Sequence, residues 1–232
     1  MFDSRARKRL AIVACLATLV MSGAQNAKDV PSALESDGGG WSDLLGATSA
    51  GLDAWTREPI PAGGELPEDS PWKLDSASGV LSCAPAGGGR EWLRLDQVLL
   101  DFILHVEWRF RPEPGATATN DRAGIFVRNS NDARMWHKAE CGDAKGGYLV
   151  GETFAASAIK PFNLEKEVAE NRVKPAGEWN TYELTCKGRL VTLWVNGVVA
   201  NQWKGCGVPR GYLGLEAERG RIEFRNIKLK AL

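Results

Sequence analysis

The chain has 232 residues, and its 29 Lys and Arg balance 29 Asp and Glu, so the formal net charge is zero. That balance leaves no basic footprint for a nucleic-acid partner. No segment reaches the roughly 18 consecutive apolar residues of a transmembrane helix.

Residues 1–24 read as a secretory signal peptide. Arg5, Arg7, Lys8 and Arg9 precede a short apolar run, and Ser22-Gly23-Ala24 places small residues at a cleavage site. The expectation is an exported protein, periplasmic or secreted; left uncleaved, the same run would be an N-terminal anchor. Cys83, Cys141, Cys186 and Cys206 remain after the leader. Four cysteines in an exported chain allow two disulfides. Cys186 alternates with Tyr182 and Leu184, so it should face inward, within bridging reach of another cysteine. The spacings do not match a zinc ribbon.

Residues 25–40 are polar and Gly-rich, which predicts a flexible linker, with one domain over 41–232. "REPIPAGGELPEDSPW" (57–72) predicts a long Pro/Gly loop. "DFILHVEWRFR" alternates strictly, with Phe102, Leu104, Val106, Trp108 and Phe110 on one face and Ile103, His105, Glu107 and Arg109 on the other. Such alternation is the mark of a half-buried strand. The charged stretch 163–174 predicts a surface turn of helix or a structured loop. "TYELTC" and "LVTLWV" are further strands, and Asn196-Gly197 predicts a tight hairpin turn. At the end of the chain Ile222 and Phe224 are out of step with Ile227 and Leu229, which predicts a β-bulge near Asn226. Many short strands joined by turn residues indicate an all-β sandwich.

The densest polar cluster is "GIFVRNSNDARMWHKAECGD", 124–143. In an extended 136–141, Trp136, Lys138 and Glu140 share one face and His137 points the other way. Such a face suits a sugar, with Trp136 as a stacking platform, and equally suits a solvated Lys–Glu pair beside a packed Trp. His105 shares a face with Glu107 and reads as a satisfied surface or groove histidine. No GxSxG elbow, HExxH motif or phosphate-binding glycine loop is present.

Several segments together carry a resemblance: "DFILHVEWRF", "RAGIFVR", "WHKAEC", "KPAGEWNTYELTCKGRLVTLWVNGVV" and "GYLGLEAERGRIEFRNIKL". In order and spacing the chain resembles the 3-keto-disaccharide hydrolase family over about 41–232. The resemblance implies a concanavalin A-like jelly-roll sandwich of two antiparallel sheets. It also implies action on glycosides already oxidised at C3, with β-elimination of the aglycone followed by hydration. Arg128 matches the arginine that ends one family segment, and Glu140 matches the acid of another. Glu140-Cys141-Gly142 and Leu215-Glu216 stand where the family carries glutamines.

The implied roles are Glu140, Arg128 and Glu216 in catalysis, with Glu140 as the base and Arg128 beside the developing enolate. Glu107, Trp136, Lys138 and Asp143 are the candidates for holding a small carbohydrate. Asp143 with Glu140 or Glu216 is also a candidate set for a divalent cation. Glu107, Arg128, Glu140 and Glu216 are expected on one concave sheet face. The same fold also hosts lectin-like binding modules and conventional glycosidases, and both stay open at this point.

Overall fold

A computed structural model describes residues 29–46, 51–85, 90–112 and 120–232. The proposed signal peptide lies outside the described residues. The strands, in chain order, are β1 (Ser42–Asp43), β2 (Trp55–Ile60), β3 (Trp72–Asp75), β4 (Val80–Cys83), β5 (Arg90–Leu95), β6 (Phe102–Phe110), β7 (Arg122–Asn129), β8 (Trp136–Gly142) and β9 (Lys145–Ala155), then β10 (Ala158–Asn163), β11 (Asn180–Lys187), β12 (Leu190–Val195), β13 (Val198–Trp203), β14 (Tyr212–Arg219) and β15 (Ile222–Ala231). A short helix, α1, spans Ala33–Ser36.

They form two antiparallel sheets. The first runs β13-β12-β11-β6-β15-β4-β3, with β1 also paired to β15; the second runs β10-β9-β8-β7-β14-β5-β2. Between them lies one apolar core. Strand β6 shows why: Phe102, Leu104, Val106, Trp108 and Phe110 are all essentially inaccessible. Each side chain of this kind contributes about 1.5–3 kcal/mol when removed from water. The alternation therefore selects this register, because a one-residue slip would turn all five outward.

Two turn features agree with the sequence. Asn196 and Gly197 both have positive φ, as the β12–β13 hairpin requires. Arg225 pairs with Glu107 and Lys228 with His105, so one extra residue bulges out of β15, and Asn226 takes a left-handed φ of 49° there. The side-chain oxygen of Asn180 accepts from Lys174 N and Asn196 Nδ2, tying the segment ahead of β11 to the β12–β13 hairpin.

Other expectations are corrected. Residues 29–40 are not a free linker: they form a strap on the outer face of the first sheet. Ser32 caps α1 in a capping box, and Glu183 accepts hydrogen bonds from Ala33 N and Leu34 N. The indole of Trp194 donates to Val30 O, and Lys230 and Lys228 pair with Asp37 and Asp43. The 57–72 loop is shorter than expected, because Arg57–Ile60 belong to β2. The 163–174 stretch, by contrast, agrees with its reading: Glu165–Glu167 make one surface 3-10 turn in an otherwise irregular segment. All four cysteines are buried free thiols. They serve as small apolar side chains, and burial pushes the Cys83 thiol up to about 12.

Candidate functional site

The outer face of the second sheet holds a charged cluster beside a cavity. Pairing places it: Gly124 on β7 stands opposite Glu140 of β8 on one side and Glu216 of β14 on the other. Lys138 comes from the same face of β8. Its Nζ lies 3.0 Å from Glu140 Oε2 and 3.1 Å from Glu216 Oε2. Arg122 Nε donates to Glu140 Oε1 at 2.8 Å. Arg90 grips Glu216 through both Nε and Nη2. Glu218 lies at the rim, 3.6 Å from Arg122 and 3.7 Å from Arg90.

Three carboxylates thus face three cations. The centre is nearly dry: the side chains of Lys138 and Glu140 are each 4% exposed and that of Glu216 is 0%. Burial alone would lower the Lys138 pKa, but Glu216 and Glu140 outweigh it and hold the ammonium above its ordinary value. The buried Glu140 Oε2 rests against that ammonium, a charge contact rather than a well-aligned hydrogen bond.

Beside the cluster opens a cavity of about 560 Å³, walled by Ile60 and Pro61 and floored by Trp92, Phe126, Trp136 and Lys138. Phe126 meets Trp92 and Trp136 edge-on, with centroids 5.4 and 6.3 Å away. Gly214 leaves room for the Trp92 ring, since a Cβ there would stand 2.1 Å from it. The volume falls in the ordinary range for small-molecule sites.

The structure brings together Trp136, Lys138, Glu140 and Glu216, as the alternation predicts. It does not bring Arg128 or Glu107 to them. Strand β7 carries one extra residue between the pairs Phe126–Gly214 and Asn129–Tyr212. Arg128 takes a left-handed φ of 54° in this bulge and turns inward. It is completely buried, donating to Leu100 O, Gly188 O and Asp101 Oδ1. It clamps loops at one end of the sandwich. Glu107 lies on the other sheet, paired with Arg225 at 2.7 Å and bound by Asn226 Nδ2 at 3.0 Å. Trp179 covers that pair, with the guanidiniums of Arg225 and Arg109 at 3.9 and 4.4 Å from its ring. The four-residue groove is therefore corrected to a cluster centred on Glu140, Lys138 and Glu216.

Asp143 sits in the β8–β9 turn and accepts from Ala176 N at 2.7 Å. It does not join a cation site. Among the described residues no group of three or more His, Cys, Asp or Glu is placed to hold a metal ion, and the other two carboxylates of the candidate set already face cations. His137 points inward as expected, its ring nitrogens at Val127 O and Thr153 Oγ1. Burial brings its pKa down to about 4. His105 is buried on the outer face of the first sheet, held between Glu183 and Asn226 under Trp41.

Sequence reasoning missed Arg90, Arg122, Trp92, Phe126 and Glu218 as members of the face. A signal was available for several. In "REWLRL" Arg90 and Trp92 alternate with Leu93 and Leu95, and Glu218 lies two residues beyond Glu216 on β14.

Two antiparallel seven- and eight-stranded sheets packed face to face are the concanavalin A-like sandwich shared by lectins and glucanases. Residues 40–230 match the family described as the 3-keto-alpha-glucoside-1,2-lyase-like domain, and the chain belongs to that family. Among solved structures it is similar to two putative glycosyl hydrolases from Parabacteroides distasonis ATCC 8503. One has a TM-score of 0.56 at 15% identity, covering 89% of this chain and all of that one. The other has a TM-score of 0.53 at 17% identity, covering 83% and 99%. It is also similar to the carbohydrate-binding module CBM66 from Bacillus subtilis, with a TM-score of 0.52 at 12% identity over 75% of this chain and 94% of that one. At these identities the likeness is one of fold. No curated protein matches the chain significantly. Among the described residues no helix is long and apolar enough to cross a membrane.

Proposed function

We propose that this chain cleaves 3-keto-glycosides by β-elimination, followed by hydration of the unsaturated product. The observation that carries the reading is the Lys138 ammonium, paired with Glu140 and Glu216, at the edge of a cavity lined by Trp92, Phe126 and Trp136, in a chain of this family. A ketone at C3 acidifies the C2 proton. Glu140 takes that proton with Oε2, the oxygen that Arg122 does not hold. The electron pair moves into C2=C3, and the Lys138 ammonium balances the charge on the C3 oxygen. The pair then returns to form C1=C2 as the C1–O bond breaks, and the aglycone oxygen takes a proton from water. Water adds across C1=C2 to give the free 3-keto sugar. Glu216 holds the ammonium in place, and Arg122 holds Glu140. This assigns to Lys138 the part that the resemblance gives to Arg128. Trp136 and Phe126 support a ring in the cavity.

The carbohydrate-binding reading has one observation in its favour: all three carboxylates of the cluster are already ion-paired. The export reading rests on the leader and is carried here as part of the proposal. The test is to incubate the purified chain with a 3-keto-glucoside and with the unoxidised glucoside, in D₂O. Release of the aglycone from the keto substrate alone, with deuterium at C2 of the sugar, supports elimination. Cleavage of the unoxidised glucoside without C2 deuterium would make it a conventional glycosidase. Binding without any cleavage would make it a binding module.

A further inference from the structure

We propose that Gly124 is a positioning residue of the site: it is the bare patch of sheet across which the Lys138 stem lies, and it sets the reach of the ammonium. The inference rests on the elimination reading only for its kinetic consequence. Glycine in the interior of a central strand weakens that strand, and it marks a place where something approaches the backbone closely. Here the approaching group is identified. A Cβ on Gly124 would stand 2.1 Å from Lys138 Cδ, 2.4 Å from Cγ and 3.2 Å from Cε. Those are the three nearest atoms, and all belong to one side chain. Gly124 also has no left-handed φ, unlike Gly146 or Gly147. The backbone would accept an alanine; the lysine stem would not.

The geometry explains why the patch is needed. Lys138 pairs across the ladder with Phe126, not with Gly124. To reach Glu216 two strands away, its stem must cross β7 diagonally at the height of Gly124. Any side chain there lifts the stem off the sheet. Nζ then leaves a position 3.0 and 3.1 Å from two carboxylates. The atoms that must move are the middle of the lysine chain, so a rotation of its tip does not relieve the clash.

The experiment is a double-mutant cycle of Gly124→Ala and Lys138→Ala, read by thermal unfolding and by turnover of a 3-keto-glucoside. With lysine present, Gly124→Ala is expected to lower Tm by roughly 4 °C or more. It should reduce kcat by roughly 10²–10³ with little change in KM, as loss of one charge-stabilising donor does. In the Lys138→Ala background, the same substitution should leave Tm nearly unchanged and alter kcat by less than about twofold. If Gly124→Ala alone does not fold, recovery of folding by adding Lys138→Ala supports the proposal equally. Equal effects in both backgrounds, or no effect of Gly124→Ala, would overturn the proposal. If the wild-type chain turns over no keto sugar while the Tm effects still couple, the positioning role stands and the elimination reading fails.

Discussion

The outer faces of the two sheets carry the same kinds of residue and use them differently. On the first sheet Glu107 and Arg225 form a pair whose side chains are 20% and 41% exposed, under Trp179. A surface pair of this sort is worth about 0–1 kcal/mol. On the second sheet one lysine serves two carboxylates, and all three are nearly withdrawn from water. Breaking such an arrangement by removing one partner costs far more, roughly 3–5 kcal/mol. The first face is covered by its own N-terminal strap, whereas the second borders an open cavity. Charge on a strand therefore says little by itself; desolvation and an adjoining space distinguish the candidate site from a solvated face.

The sharpest way to break the comparison is to make the same change on both faces. Glu140→Gln should keep the fold and lower turnover of a 3-keto-glucoside by about 10²–10⁴, the usual loss of a general base. Glu107→Gln should leave turnover within about twofold of wild type. Equal losses would mean that the second face is not the site.

Arg128 tests the sandwich end against the face. Arg128→Met leaves the carbonyls of Leu100 and Gly188 without their donor. Hydrogen bonds to a charged group are worth about 1.5–3 kcal/mol, and both carbonyls belong to exposed residues that water can reach, so a loss at the lower end of that range is expected in urea unfolding. The folded fraction should retain kcat within about threefold. A large kcat loss at unchanged stability would restore Arg128 to the chemistry.

His137 sharpens the contrast between the core side and the outer side of β8. Its folded pKa is held down at about 4 by burial, against 6.5 for the free side chain. Between those values the unfolded chain binds the proton and the folded chain does not. Stability is therefore fully present above about pH 6.5 and falls as the pH drops towards 4, by up to about 3 kcal/mol. Denaturant melts of wild type and His137→Gln across that range should converge in acid, and parallel curves would refute the assignment. The smallest effect expected is at the tryptophans. Trp136→Ala should raise KM three- to tenfold, in line with about 0.5–1.5 kcal/mol for an aromatic contact, and Trp179→Ala should leave KM unchanged.

Much of this was legible in the alternation. It placed Trp136, Lys138 and Glu140 together, sent His137 inward, and predicted the bulge at Asn226. It failed at Arg128 because a second bulge, with no glycine to announce it, shifts β7 by one residue. It failed at Glu107 because period two gives a face but not the sheet to which the face belongs; that depends on pairing between distant strands. The disulfide expectation failed for a local reason: the inward cysteines fill small gaps in the core. Linker composition misled as well, since Ser32 and Glu35 make a capped turn out of a Gly-rich lead-in.

That capped turn has a practical corollary for handling the protein. The strap enters at the β12–β13 hairpin, where Val30 N donates to Gly197 O, and then runs over the sheet that faces away from the cavity. A purification handle or solid support joined ahead of Asp29 is thus attached on the rear of the sandwich. Biosensor chips loaded through that end would present the cavity side to the flowing sample, whereas random coupling through exposed lysines would present every side.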